Sequence, residues 1–135
     1  MSDLVRLVHE PIDVAALQAP AASDGAVCLF VGVVRNENRG RRVVHLEYEA
    51  YEEMALPLME EIAEETRKRF PVGEVRLVHR LGPLEIGDAS VAVAVASPHR
   101  DEAFAACRFA IDTLKAKVPI WKKEHYEDGS VWLDD

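Results

Sequence analysis

Residues 90–119 read SVAVAVASPHRDEAFAACRFAIDTLKAKVP, and this stretch decides the fold. Ser90 to Ala96 is a short apolar run rich in valine, which predicts a strand. Ser97 is a suitable N-cap and Pro98 suits the first helical position, with Asp101 and Glu102 favourable in the first turn. Ala103, Phe104, Cys107, Ala110, Ile111, Leu114 and Val118 then recur at helical spacing until Pro119 stops the helix. The sequence therefore predicts a strand that turns directly into a long amphipathic helix.

Working outward gives the other elements. Ala26 to Val34, AVCLFVGVV, predicts a buried strand, with Gly32 marking a bulge or a close backbone approach. Arg35 to Arg42, RNENRGRR, predicts a mobile basic loop. Val43 to Tyr51 alternates, with Val44, Leu46, Tyr48 and Ala50 on one face and His45, Glu47, Glu49 and Tyr51 on the other. Met54 to Phe70 predicts a helix, in which Pro57 is tolerable only within the first turn. Glu74 to Leu81 predicts a strand joined by the tight connection GPLEIGD to the strand at Ser90. At the start, Leu4 to His9 suggests a strand and Pro11 to Leu17 a short helix. After Pro119 comes a tail with a turn at Asp128-Gly129. This order predicts an α+β fold, with helices packed on a mostly antiparallel sheet as a single-domain, two-layer sandwich over residues 1–135.

Composition narrows the function classes. The 135 residues are 49% hydrophobic and 30% charged, as in an ordinary globular domain. The net charge is −8, and between Glu47 and Glu65 there are eight glutamates and no Lys or Arg. Outside that segment 16 acids face 16 bases, so the basic bias of a nucleic-acid binder is missing. No apolar run approaches the roughly 18 residues of a membrane span, and MSDLVRLVHEP lacks the pattern of a signal peptide. A cytoplasmic protein without membrane or nucleic-acid partners is expected. Cys28 and Cys107 lie in apolar runs and predict buried, reduced thiols. With no CxxC and five scattered histidines, no metal site is expected.

Three constellations could carry chemistry. Arg35 ends a buried strand, where a guanidinium can fork onto phosphate oxygens, although a solvated arginine is the commoner case. His99 and Arg100 open a helix, whose N-terminal N–H groups favour anions. A cation in the first turn opposes the helix dipole, which hints at another purpose for Arg100. Lys115 lies beside the apolar stripe, and Trp121 can anchor the chain so that Lys122 returns toward it. On spacing alone Lys115 is more simply a helix-end lysine. P-loop, GxGxxG and GxSxG motifs are absent.

FVGVVRNENRGR, HLEYEAYEEMA, VHRLGPLEIGD and SPHRDEAFAACRFAIDTLKAKVPIWKKE together resemble the catalytic large subunit of molybdopterin synthase, in order and over nearly the whole chain. The resemblance implies a sulfurtransferase. It would convert cyclic pyranopterin monophosphate into molybdopterin with sulfur from the C-terminal thiocarboxylate of a small ubiquitin-like subunit. It further implies a homodimer within a heterotetramer, and no metal or cofactor for this step. Carried over residue by residue, it implies catalytic Lys115 and Lys122. The implied substrate contacts are Phe30, Val33, Val34, Arg35, His99, Arg100, Lys115, Lys122, Lys123 and Glu124, with His99 and Arg100 supplied by the neighbouring subunit. Ile111 replaces a pocket methionine of many relatives. Some relatives carry a further C-terminal arginine, whose work would fall here to Arg39, Arg41 or Arg42. The competing readings are a non-catalytic docking module for a ubiquitin-like partner and a small-anion or nucleotide sensor.

Overall fold

The structure is a computed structural model and describes residues 4–134. Nine strands and two long helices follow the chain as β1 (Leu4–Val8), β2 (Ala26–Val33), β3 (Glu37–Asn38), β4 (Arg41–Ala50), α1 (Glu52–Arg69), β5 (Val75–Arg80), β6 (Gly82–Glu85), β7 (Ala89–Ser97), α2 (Arg100–Lys117), β8 (Ile120–Tyr126) and β9 (Gly129–Asp134). They form two sheets rather than one. The first runs β1-β5-β7-β2, and the second runs β3-β4-β8-β9 with β6 also paired to β4. All described pairings are antiparallel except β1 with β5. The α+β expectation stands.

Alternation along β7 explains the layering. Val91, Val93 and Val95 point into the main core, shared with α1, α2 and the second sheet. Ala92 and Ala94 face the other way, where only Leu17, Ile12 and neighbouring apolar side chains cover the sheet. Large residues thus meet the thick layer and alanines the thin one. Cys28 of β2 lies opposite Val95 and packs on the main core, while Leu29 lies opposite Ala94 and packs on the smaller one.

Several expectations are corrected. The segment Pro11–Leu17 forms only a 3-10 turn at Ala15–Leu17. The basic loop after β2 is a hairpin: Arg39 (φ 52°) and Gly40 (φ 78°) both lie in the left-handed region that a two-residue type I′ turn requires. The connection GPLEIGD contains β6, and the tail forms the β8–β9 hairpin. Val44 does not share the buried face with Leu46. The β4–β8 register shifts between Val43 and His45, so Val43 is buried and Val44 exposed.

The helices also start differently from expectation. α1 begins at Glu52, which puts Pro57 in its second turn. Pro57 and Glu53 are both exposed, so water can reach the Glu53 carbonyl that lacks its helical donor. Ser97 ends β7 and Pro98 precedes the helix, so His99 is the N-cap of α2. The His99 N–H donates to Ser97 Oγ at 3.4 Å. The last turn of α1 carries Arg67, Lys68 and Arg69 as expected, and Lys68 and Arg69 pair with Glu64 and Glu65 one turn back.

Candidate functional site

β2 delivers the first candidate residues to one end of the four-stranded sheet. The β2–β7 register shifts between Gly32 and Val33. Beyond it, Val34 is buried and its backbone is clamped by the GPLEIGD turn. The Val34 N–H donates to the Asp88 carbonyl at 3.0 Å, and the Gly87 N–H donates to the Val34 carbonyl at 2.9 Å. Gly87 has φ 89°, which suits glycine. Asp88 also accepts from the Glu85 N–H and pairs with Arg80. The motif therefore holds the strand end that presents Val33 and Arg35, both exposed. Phe30 lies on the helix-facing side of β2, opposite Val93, and is 38% exposed.

The second group sits on β8. Tyr48 pairs with Lys122 and Leu46 with Glu124, so Lys122 and Glu124 share the core-facing side of β8. Glu124 is only 3% exposed. Its Oε1 accepts from Asn38 Nδ2 at 2.7 Å and from the Tyr126 hydroxyl at 2.5 Å. Its Oε2 lies 4.0 Å from Lys122 Nζ. The hydrogen bond to Glu124 holds the Tyr126 phenol above its ordinary range, with burial adding to the effect. Asn38 belongs to the β3–β4 hairpin that follows Arg35, and the Val43 N–H donates to the Asn36 carbonyl at 2.9 Å. Glu124 thus ties the loop after β2 to the strand carrying Lys122. Asn38 and Tyr126 escaped the sequence reading; NEN inside the basic stretch was the available signal for Asn38.

α2 runs antiparallel to β7, because only Pro98 and His99 separate them and Cys107 Sγ contacts the Val93 carbonyl at 3.7 Å. The C-terminal end of α2 therefore returns to the end of the sheet that carries Val33–Arg35. Lys115 lies in that last turn, exposed, just before the Val118-Pro119 corner that leads to Lys122. His99 and Arg100 lie at the opposite end, also exposed. Arg100 and Lys115 are fifteen helical steps apart, about 22 Å at 1.5 Å per residue. Within one chain these two groups cannot touch one small substrate.

Two expectations change here. Lys123 does not join Lys122; it points to the other side of β8, with its ammonium 5.4 Å from the centre of the Trp132 ring. Arg41 and Arg42 are engaged at the β8–β9 turn. Arg41 pairs with Asp128 at 2.8 Å and lies over the Tyr126 ring, while Arg42 faces Glu127 at 3.9 Å. The hydrogen bond from Arg41 holds Asp128 below the usual carboxylate range. These arginines are thus poor replacements for a phosphate-binding cation. Cys28 and Cys107 are free thiols; Cys107 is buried as expected, Cys28 only partly so, and burial pushes Cys107 up to about 12.

Toward one end of the fold lie a clamped strand end with Arg35, a lysine 4.0 Å from a buried carboxylate, and a second lysine at a helix terminus. The family described as MoaE protein matches residues 7–117. The chain belongs to the MoaE family. Within it, the chain is 48% identical over 137 aligned positions to the molybdopterin synthase catalytic subunit of Nostoc sp., covering 98% of this chain and 83% of that one. The crystal structure of molybdopterin synthase from Staphylococcus aureus superposes with a TM-score of 0.91 at 42% identity, covering 96% of both chains. A Helicobacter pylori structure, a complex of subunits 1 and 2 of molybdopterin-converting factor, shares the fold with a TM-score of 0.79 at 23% identity, covering 97% of this chain and 90% of that one. Membership in the MoaE family makes the chain a sulfur-transferring enzyme subunit of molybdenum cofactor biosynthesis. Among the described residues, no helix is long and apolar enough to cross a membrane.

Proposed function

We propose that this MoaE-family chain takes sulfur from the C-terminal thiocarboxylate of a small ubiquitin-like subunit and places it on cyclic pyranopterin monophosphate, forming the dithiolene of molybdopterin. The observation that carries the reading is the junction at Glu124, where the loop after Arg35 meets the strand of Lys122 at the end reached by Lys115. Opening the cyclic phosphate and adding sulfur develops negative charge, which fixed cations stabilise. Lys115 serves as general acid/base at the transfer centre, and Lys122 supports it electrostatically. Glu124 positions Lys122. Arg35, beside Val33 at the strand end that the Val34 backbone bonds fix, holds the phosphate side of the substrate, and Phe30 lines the approach.

The separation of about 22 Å along α2 leads us to assign His99 and Arg100 to the site of a second copy. The working unit is then a homodimer flanked by two small subunits. The Helicobacter pylori structure, a complex of subunits 1 and 2 of molybdopterin-converting factor, supports the small-subunit partner. Residues 1–135 act as one catalytic domain, in the cytoplasm.

The test is a reconstitution with thiocarboxylated small subunit and cyclic pyranopterin monophosphate, following molybdopterin through its fluorescent oxidised derivative. Product is expected, and it should vanish when the donor carries a plain carboxylate. Tight binding of the small subunit with no product would overturn the catalytic reading and leave a docking module.

A further inference from the structure

The five histidines are scattered in the sequence, but the second sheet gathers two of them on its outer face. His45 of β4 is paired in register with His125 of β8, and Glu47 lies two residues along β4 on the same side. The two imidazoles stack with centroids 4.1 Å apart and planes 13° from parallel. His125 Nε2 lies 3.3 Å from Glu47 Oε1. That nitrogen is shut off from solvent and has no hydrogen-bond partner. One ligand atom from each of the three residues lies within 4.8 Å of the other two.

We propose that His45, Glu47 and His125 form a divalent transition-metal site that takes zinc. Two imidazole nitrogens and a carboxylate oxygen are a common zinc donor set. Bonds of about 2.0–2.1 Å in a tetrahedron put neighbouring donors about 3.3 Å apart, the spacing already present between His125 and Glu47. The third donor must move closer. His45 does this by rotating out of the stack, which its partial exposure allows. The His125 nitrogen, which makes no hydrogen bond although Glu47 lies 3.3 Å away, gains a coordinate bond.

The neighbours on this face support the assignment. Glu85 of β6 stands directly across from His45, adding negative charge to this face. Lys123 stands across from Glu47, yet its ammonium is turned toward Trp132 on β9. A bound ion would clamp β4 to β8, behind the strand that presents Lys122 on its other face. The proposal stands on this geometry and is independent of the sulfur-transfer reading.

The experiment uses the full chain stripped with a chelator, titrated with zinc against a chromophoric competitor and, separately, with cobalt as a spectroscopic probe. One equivalent of zinc is expected to bind, with cobalt showing the d–d absorption of a four- or five-coordinate site. H125Q and H45Q should each weaken zinc binding by about tenfold or more, because each removes one of three protein donors. H9Q, which alters a histidine outside the cluster, should leave it unchanged. Far-UV circular dichroism confirms that the variants fold. Absence of saturable binding, or binding that survives undiminished in folded H45Q and H125Q, would overturn the proposal. So would binding that is lost in H9Q.

Discussion

Lys122 Nζ and Glu124 Oε2 lie 4.0 Å apart on the core-facing side of β8, while Glu124 Oε1 is held by Asn38 and Tyr126. The carboxylate is therefore fixed from one side and offers its other oxygen to the lysine. E124Q keeps the shape and removes the charge. Removing the buried charge that faces Lys122 is expected to lower turnover by about tenfold or more. Steady-state assays with saturating small subunit, beside a melting curve, check this. Wild-type turnover in folded E124Q would remove Glu124 from the positioning role.

Lys115 and Arg100 occupy opposite ends of α2, and the proposed assignment places them in one site only across two chains. K115A and R100A should each be inactive alone. Co-expression should restore activity, because mixed dimers keep one intact site; random pairing gives about a quarter of the wild-type sites. An inactive mixture would mean that both residues serve the same chain's site.

Gly25 guards the turn that launches α2. Its N–H donates to the Ser97 carbonyl at 3.0 Å. A Cβ built there would stand 2.6 Å from the Pro98 carbonyl oxygen, a backbone atom with little room to move. G25A is expected to destabilise the protein by about 1–3 kcal/mol, read as a fall of several degrees in thermal midpoint. An unchanged midpoint would show that the turn relaxes freely.

Cys107 is buried, and its folded thiol titrates only near 12, above its ordinary value of 9.0. Below about pH 9 the thiol is neutral in both states and adds no pH dependence. Between about 9 and 12 the unfolded chain releases the proton while the folded chain keeps it. Stability then declines by up to about 1.4 kcal/mol per pH unit from this group. Urea unfolding of wild type and C107A across pH 8–11 should show a shallower alkaline decline in the variant. Parallel declines would exclude Cys107 as the source.

The long elements were legible because their patterns are strong. The apolar run at 26–34, the alternation from Leu46 onward and the two helical stripes all announce themselves through periodicity. The 82–88 connection and the tail were harder. β6 is four residues long and β9 completes a hairpin, so each owes its pairing to a partner strand rather than to its own pattern. The N-cap of α2 moved from Ser97 to His99 because β7 claims Ser97 as its last residue. Among the candidate site residues, the shared face of Lys122 and Glu124 was not legible, because the segment after Pro119 read as a tail rather than a strand. The hold of Asn38 on Glu124 spans 86 residues, and no local pattern could show it. Lys123 was carried along by its neighbours in the motif, and strand alternation separates it from them.

The length of α2 sets the registration of the enzyme. One inserted residue between Arg100 and Lys115 would turn everything beyond it by about 100° and advance it by about 1.5 Å. The Arg100 end and the Lys115 end would then lose their common phase at once. Substitutions on the exposed flank, as at Arg108 or Asp112, leave that phase untouched. This helix can therefore drift widely in composition, while a single-residue change in its span is the alteration it tolerates least.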